Sequence, residues 1–419
     1  MNYKASPAPA KRLTFKKLAG VLHLWLGLGS GLVIVIVALT GALYAFQPEL
    51  SEAFYSYLHV KPENQAFAPV STLKAQAEAQ LPGKAVTRIG FAGRDHSVAV
   101  SFNDKKKGYY YIVYLNPYSG QVLKVKNMDR EFFRQVLNGH MHLWLPDPIG
   151  NGMVIYSTLI FGLILITGII MWWPRKWTKA LRKQSFAIKL DASPKRLNYD
   201  LHKVLGFYAG WIMLFVVLTG LVWGFDAVRN AEYWVFSGGK NYPTADKLKS
   251  IKPAQPLAGN ALDQIAGQID ARYPQAARVQ YLIPANGTGV VTARIYPEHK
   301  RFFNGDLLVF NQYTAQELPP GARGKYADAN GGEKANRLNY DIHTGGIGGL
   351  PLRIAVFFAA LITASLPITG FYIWWGKKKN KLNQHRKLLE TERLKVQKSC
   401  CLSLLLSRLK TEKTTCFSD

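Results

Sequence analysis

The chain has 419 residues, 48% of them hydrophobic, so it is too apolar to be disordered and long enough to fold into several domains. Its 53 Lys and Arg residues against 26 Asp and Glu give a formal net charge of +27. The basic residues cluster beside apolar runs, which is typical of loops on the cytoplasmic side of a membrane and not of a nucleic-acid-binding surface. Membrane lipid is therefore the expected surrounding, and nucleic acid is excluded as a partner.

The chain alternates between apolar segments long enough to cross a bilayer and polar stretches the size of a small domain. Because the basic clusters flank the same ends of the apolar segments, the polar domains are predicted to lie on the opposite side of the membrane from both termini. In chain order the prediction is a cytoplasmic N-terminus (1–17), a transmembrane helix (18–46), an outer domain (47–140), a second transmembrane helix (141–173), a cytoplasmic loop (174–201), a third transmembrane helix (202–225), a second outer domain (226–340), a fourth transmembrane helix (341–375) and a cytoplasmic tail (376–419).

The same motifs occur twice along the chain. His23 and His202 each begin a segment in which Gly follows at the fourth and eighth positions and L-T-G closes the run. The second and fourth apolar segments both end in I-T-G-x-x-x-W-W, with the threonine at Thr167 and Thr369. The sequence thus predicts an integral membrane protein, mainly α-helical, whose four-helix bundle is built from a duplicated unit of helix, outer domain and helix.

Four glycines are predicted to share a helix face with these histidines: Gly27 and Gly31 after His23, and Gly206 and Gly210 after His202. At about 100° per residue, glycines one and two turns beyond a histidine fall close to its face. Bare backbone there would leave room for a flat macrocycle bound at the histidine. Close packing of helices through small residues in lipid is the alternative interpretation.

A second histidine set is predicted at the opposite side of the membrane. The pattern L-N-x-x-hydrophobic-His ends at His142, His202 and His343. The charge topology places His142 and His343 at the outer ends of the second and fourth helices, and His23 and His202 at the inner ends of the first and third. His140 takes the position that an aspartate holds in the other two copies, so it ranks as a substitute ligand.

Paired imidazoles from two helices are what axial ligation of a haem iron requires, and ionisable groups within a span are functional candidates. The prediction is two haems, one held by His23 and His202 and the other by His142 and His343. Mutual hydrogen bonding or a proton relay is the alternative. A zinc site would need further Cys, Asp or Glu ligands on these helices.

Two arginines lie shortly before predicted ligands, Arg196 before His202 and Arg337 before His343. A guanidinium group binds carboxylates in a bidentate manner, so both are candidates to pair with haem propionates. An ordinary loop arginine is the alternative for each.

The four-helix layout, the H-x-x-L-G and L-T-G motifs, the W-W helix ends and the outer domains resemble the PepSY-associated transmembrane proteins. Residues Val70 to Val125 resemble a PepSY module, and Leu257 to Leu318 resemble a diverged second copy. The resemblance extends to about Lys381 and implies two periplasmic α+β PepSY-like domains. Members of this family include iron-regulated inner-membrane proteins of Gram-negative bacteria, and some are similar to ferric-siderophore reductases that carry two b-type haems.

This resemblance implies His23, His202, His142 and His343 as the ligand set for two b-type haems. The expected function is transfer of electrons from a cytoplasmic donor or quinol to a periplasmic ferric siderophore or other ferric chelate, with release of Fe(II). The segment after Trp375 is too short for a dinucleotide-binding domain, so the electron donor is expected to be a separate molecule. The alternative is a non-enzymatic membrane anchor whose PepSY domains bind peptides or restrain a protease.

Overall fold

The computed structural model describes residues 14–174, 176–244, 248–255, 257–321 and 323–414, with side chains described as far as residue 395. Most of the predicted cytoplasmic N-terminus (1–17) therefore lies outside the described residues. The described chain falls into two compact units. One contains the residues up to Trp177 together with Leu205–Pro367, and the other contains Thr178–Val204 together with the residues from Ile368 onward.

Helices make up most of the chain. In order they are α1 (Phe15–Ala45), α2 (Gln47–Phe54), α3 (Val70–Gln80), α4 (Phe132–His142), α5 (Ile149–Trp172), α6 (Lys179–Phe186), α7 (Pro194–Asp200), α8 (Gly206–Gly224), α9 (Asp226–Phe236), α10 (Ala261–Arg272), α11 (Gly331–His343) and α12 (Gly349–Thr414). Among the described residues, four helical segments are long and apolar enough to cross a membrane: Phe15–Ala45, Ile149–Trp172, Pro194–Gly224 and Gly346–Lys395. Each of them overlaps one of the four predicted spans, with different bounds.

Helix α12 continues far beyond residue 375, where the sequence predicts the fourth span to end. The residues that follow Gly376 are mainly Lys, Leu, Glu, Gln and Arg, all strong helix formers, and no Gly or Pro interrupts them before residue 414. The first part of the predicted cytoplasmic tail is therefore a continuation of the helix.

In the larger unit the spanning helices pack around a small apolar core. Its members are small or flexible side chains that let the helices approach closely, which is how helices associate in lipid. They come from α1 (Ala42), α5 (Leu165), α8 (Ala209, Met213, Val217, Leu221) and the start of α12 (Ala359, Ala360). Large apolar side chains such as Leu32, Phe215 and Phe358 are exposed on the outside of these helices, as a lipid-facing surface requires.

The polar stretches between the spans form one antiparallel sheet. Its strands are β1 (Arg88–Phe91), β2 (Val98–Asp104), β3 (Tyr109–Leu115), β4 (Val122–Asn127), β5 (Arg278–Leu282), β6 (Val290–Tyr296), β7 (Asp306–Asn311) and β8 (Glu317–Leu318). Their order in the sheet is β4-β3-β2-β1-β5-β6-β7-β8. The structure thus differs from the prediction of two separate outer domains, because β1 pairs with β5 and joins both halves edge to edge.

Helices α3 and α10 cover this sheet and share one core with both of its halves. Leu73 of α3 and Ile265 of α10 are fully buried against strand residues from the two halves, among them Val100 and Phe310. Asp263 of α10 accepts hydrogen bonds from the backbone N–H (2.8 Å) and the hydroxyl of Ser71 on α3. Each half therefore consists of one helix followed by four strands, and neither half has a core of its own.

Candidate histidine site

Four histidines each face a Thr-Gly dipeptide on a neighbouring helix. A Cβ placed on the glycine would lie within ordinary contact distance of the imidazole, or closer. The pairs are His23 with Thr167-Gly168, His140 with Thr40-Gly41, His202 with Thr369-Gly370, and His343 with Thr219-Gly220. Helix α1 takes part in two of these pairs, since it supplies His23 to α5 and receives His140 of α4 at its opposite end.

The environment of His140 fixes which ring nitrogen carries the proton. Its Nδ1 lies 2.9 Å from the backbone carbonyl oxygen of Val37 in α1. A carbonyl oxygen can only accept a hydrogen bond, so Nδ1 is the protonated nitrogen and donates. The lone pair is then on Nε2, the form in which an imidazole binds a metal.

His343 has the same tautomer for a related reason. Its Nδ1 lies 2.9 Å from the hydroxyl oxygen of Thr219 in α8. That hydroxyl donates its own proton within the helix, to the carbonyl oxygens of Phe215 and Val216, both at 2.9 Å. The threonine oxygen is therefore left to accept from Nδ1–H, and Nε2 of His343 carries the lone pair.

The rings of His140 and His343 lie next to each other, with centres 6.2 Å apart and planes at 74°. Burial lowers the pKa of His140 and lowers that of His343 to about 3, so both rings are neutral. Two imidazoles bound to one metal at about 2.0 Å, with ring centres about 1.1 Å behind the ligating nitrogens, have centres about 6 Å apart when they bind from opposite sides. The spacing, the charge state and the tautomers of this pair fit a site in which two imidazoles would hold one haem.

The sequence assigns the outer ligand position to His142, but the structure brings His140 to His343 instead. Residues two positions apart on a helix point in nearly opposite directions, so only one of these histidines can lie on the buried face of α4. That face carries Phe133 and Val136, which are buried, and it includes His140. The Nδ1 of His142 lies 2.6 Å from an Asp147 carboxylate oxygen on the exposed side.

His23 lies at the other end of α1, within the same unit. Its Nδ1 is 3.1 Å from the carbonyl oxygen of Ile164 and 3.2 Å from the hydroxyl of Thr167, both in α5. The carbonyl contact requires a protonated Nδ1, as it does for His140. Its environment therefore matches that of the outer pair.

His202 belongs to the smaller unit and contacts residues of that unit. Its Nδ1 lies 2.9 Å from the hydroxyl of Thr369, and the side-chain amide of Asn198 donates to the Thr369 carbonyl oxygen at 3.1 Å. His202 is part of a π-helical turn, Leu201–Leu205, a deviation found frequently at functional sites. The pairing of His23 with His202 stays a prediction.

The four glycines predicted to leave room for a macrocycle have different surroundings. A Cβ on Gly27 would meet nothing within 4 Å. The same atom would lie 3.2 Å from the Pro367 side chain at Gly31, 3.5 Å from Leu366 at Gly206, and 3.7 Å from Leu165 at Gly210. Gly27 alone of the four thus opens onto free space in the described structure, and the other three serve close helix packing.

The two arginines proposed to pair with propionates have protein partners. Arg337 is nearly buried and donates to the carbonyl oxygens of Gly305 (2.7 Å) and Gly324 (2.8 Å), and it pairs with Glu333. Arg196 pairs with the buried Asp200 at 2.9 Å. The geometry favours the alternative, in which these arginines hold local structure together.

Sequence reasoning noted the L-T-G and I-T-G motifs but did not assign them to the histidines. The signal that could have done so is that a Thr-Gly dipeptide occurs in every span, at matching positions in the two halves. Trp223 was also missed as a neighbour of the site. Its ring centre lies 5.0 Å from that of His343.

A family model described as the PepSY-associated TM region matches residues 21–377 of this chain. The matched stretch contains the first membrane-spanning segment from residue 21 onward, the second and third completely and the fourth as far as residue 377, and it contains every histidine described above. No curated protein matches the sequence.

Proposed function

The chain belongs to the PepSY-associated transmembrane family, and from this premise we propose that it is a di-haem reductase of the bacterial inner membrane. It would take electrons from a cytoplasmic donor or quinol and pass them to a ferric siderophore or other ferric chelate in the periplasm. Each ferric ion accepts one electron and leaves the chelate as Fe(II), which such ligands hold more weakly.

One observation carries this proposal: the buried pair of neutral imidazoles, His140 and His343, whose ring centres lie 6.2 Å apart. Neither ring has a carboxylate partner among the described residues, and the Nδ1 of each is held by an acceptor on a spanning helix. A proton relay would be better served by rings that can exchange protons at both nitrogens, whereas a ligand pair requires this fixed tautomer.

The residues of the site have distinct tasks. His140 and His343 would hold the outer haem through their Nε2 atoms, and the bound haem would supply reversible one-electron chemistry. Val37 and Thr219 orient the two rings and increase the basicity of the ligating nitrogens through the bonds to Nδ1–H. Gly41 and Gly220 leave space for the rings against the helices that receive them.

His23 and His202 remain the predicted ligands of a second, inner haem. His23 and Gly41, the glycine next to the His140 ring, are both on α1. The helical rise of about 1.5 Å per residue separates these two residues by about 27 Å. That separation is close to the thickness of a bilayer core. Two ligand sites at these depths would suit electron transfer from one membrane face to the other.

The basic residues support the proposed orientation. Lys16 and Lys17 lie in the first turn of α1, and Lys176, Lys179 and Lys183 follow α5. Under the positive-inside rule these ends are cytoplasmic, and the sheet that connects the other helix ends is then periplasmic.

The proposal is tested by counting haem in the purified protein. The full chain in detergent is expected to contain two b-type haems by pyridine haemochrome assay, with the low-spin bands of bis-histidine ligation. His140→Ala should lower the content to about one haem per chain. His142→Ala is the matched control and should leave two, because its ring contacts Asp147 and not the buried pair.

A colourless protein that is monodisperse and helical would overturn the proposal. If His140→Ala kept two haems and His142→Ala lost one, the assignment of His140 as the ligand would be wrong. Reduction of a ferric chelate by the haem-loaded protein in vesicles, with a dithionite-reduced interior and the chelate outside, then tests the direction of electron transfer.

A further inference from the structure

Three histidines gather on the sheet domain, away from the buried pair. His59 follows α2, His96 lies between β1 and β2, and His299 lies between β6 and β7. The ring centres of His59 and His96 are 5.2 Å apart, and those of His96 and His299 are 6.0 Å apart. His59 and His96 are also joined by a backbone bridge. Segments from both halves of the chain thus bring three imidazoles to one patch.

Two of these rings are held in a way that leaves one nitrogen for a ligand. The Nδ1 of His96 lies 2.7 Å from an Asp95 carboxylate oxygen. The Nε2 of His59 lies 3.0 Å from the carbonyl oxygen of Glu52. Because both oxygens accept, the neutral rings are protonated at these atoms and carry their lone pairs on Nε2 of His96 and Nδ1 of His59.

A carboxylate or a carbonyl oxygen bonded to the far nitrogen is the usual support of a metal-binding histidine. The spacing agrees with this, since two imidazoles that bind one metal at a tetrahedral angle have ring centres about 5 Å apart. Imidazole nitrogen suits divalent cations of the later first transition row, such as zinc, nickel, copper and iron.

We propose that His59, His96 and His299 form a binding site for one divalent first-row transition cation on the outer face of the sheet domain. His59 and His96 provide the fixed part of this site. No three such side chains already converge at metal-binding distances within the described residues, so His299 must complete the set by turning its ring. The His299 side chain is exposed and has room to do so.

Zinc binding tests this site. Untagged full-length protein, loaded with haem and freed of metal by a chelator, is titrated with Zn²⁺ by isothermal calorimetry in detergent. One ion per chain is expected to bind, and His59→Ala or His96→Ala should abolish this binding. Asp95→Asn, which keeps all three rings, should weaken it about 10- to 100-fold because it removes the support of His96.

His385→Ala is the matched control, since this exposed histidine lies on α12 and outside the cluster, and it should leave the titration unchanged. Equal binding by the wild type and by His96→Ala would overturn the proposal, as would an equal loss in His385→Ala. Haem content is measured on the same samples. A loss of zinc binding with two haems retained therefore concerns this site alone, and a failure of the haem assignment leaves the zinc result intact.

Discussion

At the scale of single residues, the site depends on glycines that leave room for a ring. Gly41 lies inside α1, where a glycine weakens a helix relative to alanine, so its presence there calls for a local reason. The reason is His140, because a Cβ at Gly41 would lie 2.8 Å from Cε1 of the imidazole and 3.1 Å from Nδ1. Gly29 of the same helix has open space at this position.

Gly41→Ala is therefore expected to displace the His140 ring and to lower haem content towards one per chain, although alanine is the better helix former. Gly29→Ala should keep two haems and should be slightly more stable, by about 0.5 to 1 kcal/mol. Pyridine haemochrome assays and thermal melts of both variants measure the two effects. Equal haem content in the two variants would contradict this role of Gly41.

The sequence predicts which types of residue form the site, but it does not predict which of two nearby histidines takes part. Histidines at the span ends and repeated Thr-Gly motifs are visible in it, whereas the choice between His140 and His142 is not. A motif alignment favours His142 because it shares a hydrophobic neighbour with His343, but the buried face of α4 selects His140. Which face of a short helix is buried depends on what packs against it, and here that is α1.

At the scale of elements, an ion pair connects the end of the first span to the start of the fourth. Arg353 of α12 is only 5% exposed and pairs with Glu49 of α2. Lys300 from the loop before β7 also reaches Glu49, at 3.2 Å. Removing Arg353 would leave Glu49 with Lys300 as its remaining cationic partner, which weakens the stabilisation of this carboxylate.

We expect Arg353→Ala to destabilise the protein by about 1.5–3 kcal/mol, below the range for a fully buried pair, because Glu49 is 29% exposed and Lys300 still compensates it. Arg272→Ala removes a more exposed pair with Glu317 and should cost less than about 1 kcal/mol. Thermal unfolding followed by tryptophan fluorescence in detergent compares them. Similar shifts in melting temperature would show that burial of the Arg353 pair is unimportant.

Hydropathy and charge are enough to predict the four spans, because a helix in lipid must be long and apolar whatever it packs against. The end of α12 is not predictable in this way. Hydropathy marks where a helix leaves the membrane, around Trp375, and helix propensity decides how far it continues.

At the scale of the whole molecule, the single sheet makes its two halves one folding unit. Phe310 of β7 is fully buried in the same core as Val100 of β2, although the two strands belong to different halves of the chain. A cavity at Phe310 should therefore weaken both halves together.

Phe310→Ala is expected to destabilise the sheet by about 3–5 kcal/mol. Hydrogen exchange should then speed up in β2 and in β6 by similar factors. Val125→Ala, at a position on β4 that is 38% exposed, is the control and should leave both strands protected. Faster exchange confined to β6 would mean that the halves open independently.

The sequence locates the two halves of the sheet but not the pairing that joins them. Helix and strand patterns are local, and the stretches from Val70 to Val125 and from Leu257 to Leu318 coincide with the two halves of the sheet. The pairing of β1 with β5 connects residues far apart in the chain, and no local pattern indicates it. Two short modules with an open strand edge each could equally stay apart.

The two edge strands, β4 and β8, determine whether a further strand can add to the sheet. β4 carries Lys124 and Lys126, and the ammonium group of Lys126 lies 3.7 Å from the ring centre of Tyr55. β8, at the other edge, consists of only two residues, Glu317–Leu318. Lysines and very short strands at an edge discourage a further strand from adding, and strand addition is a common way for a sheet to capture an extended peptide. A molecule that binds this domain is therefore expected to contact its side chains and loops and not to extend its sheet.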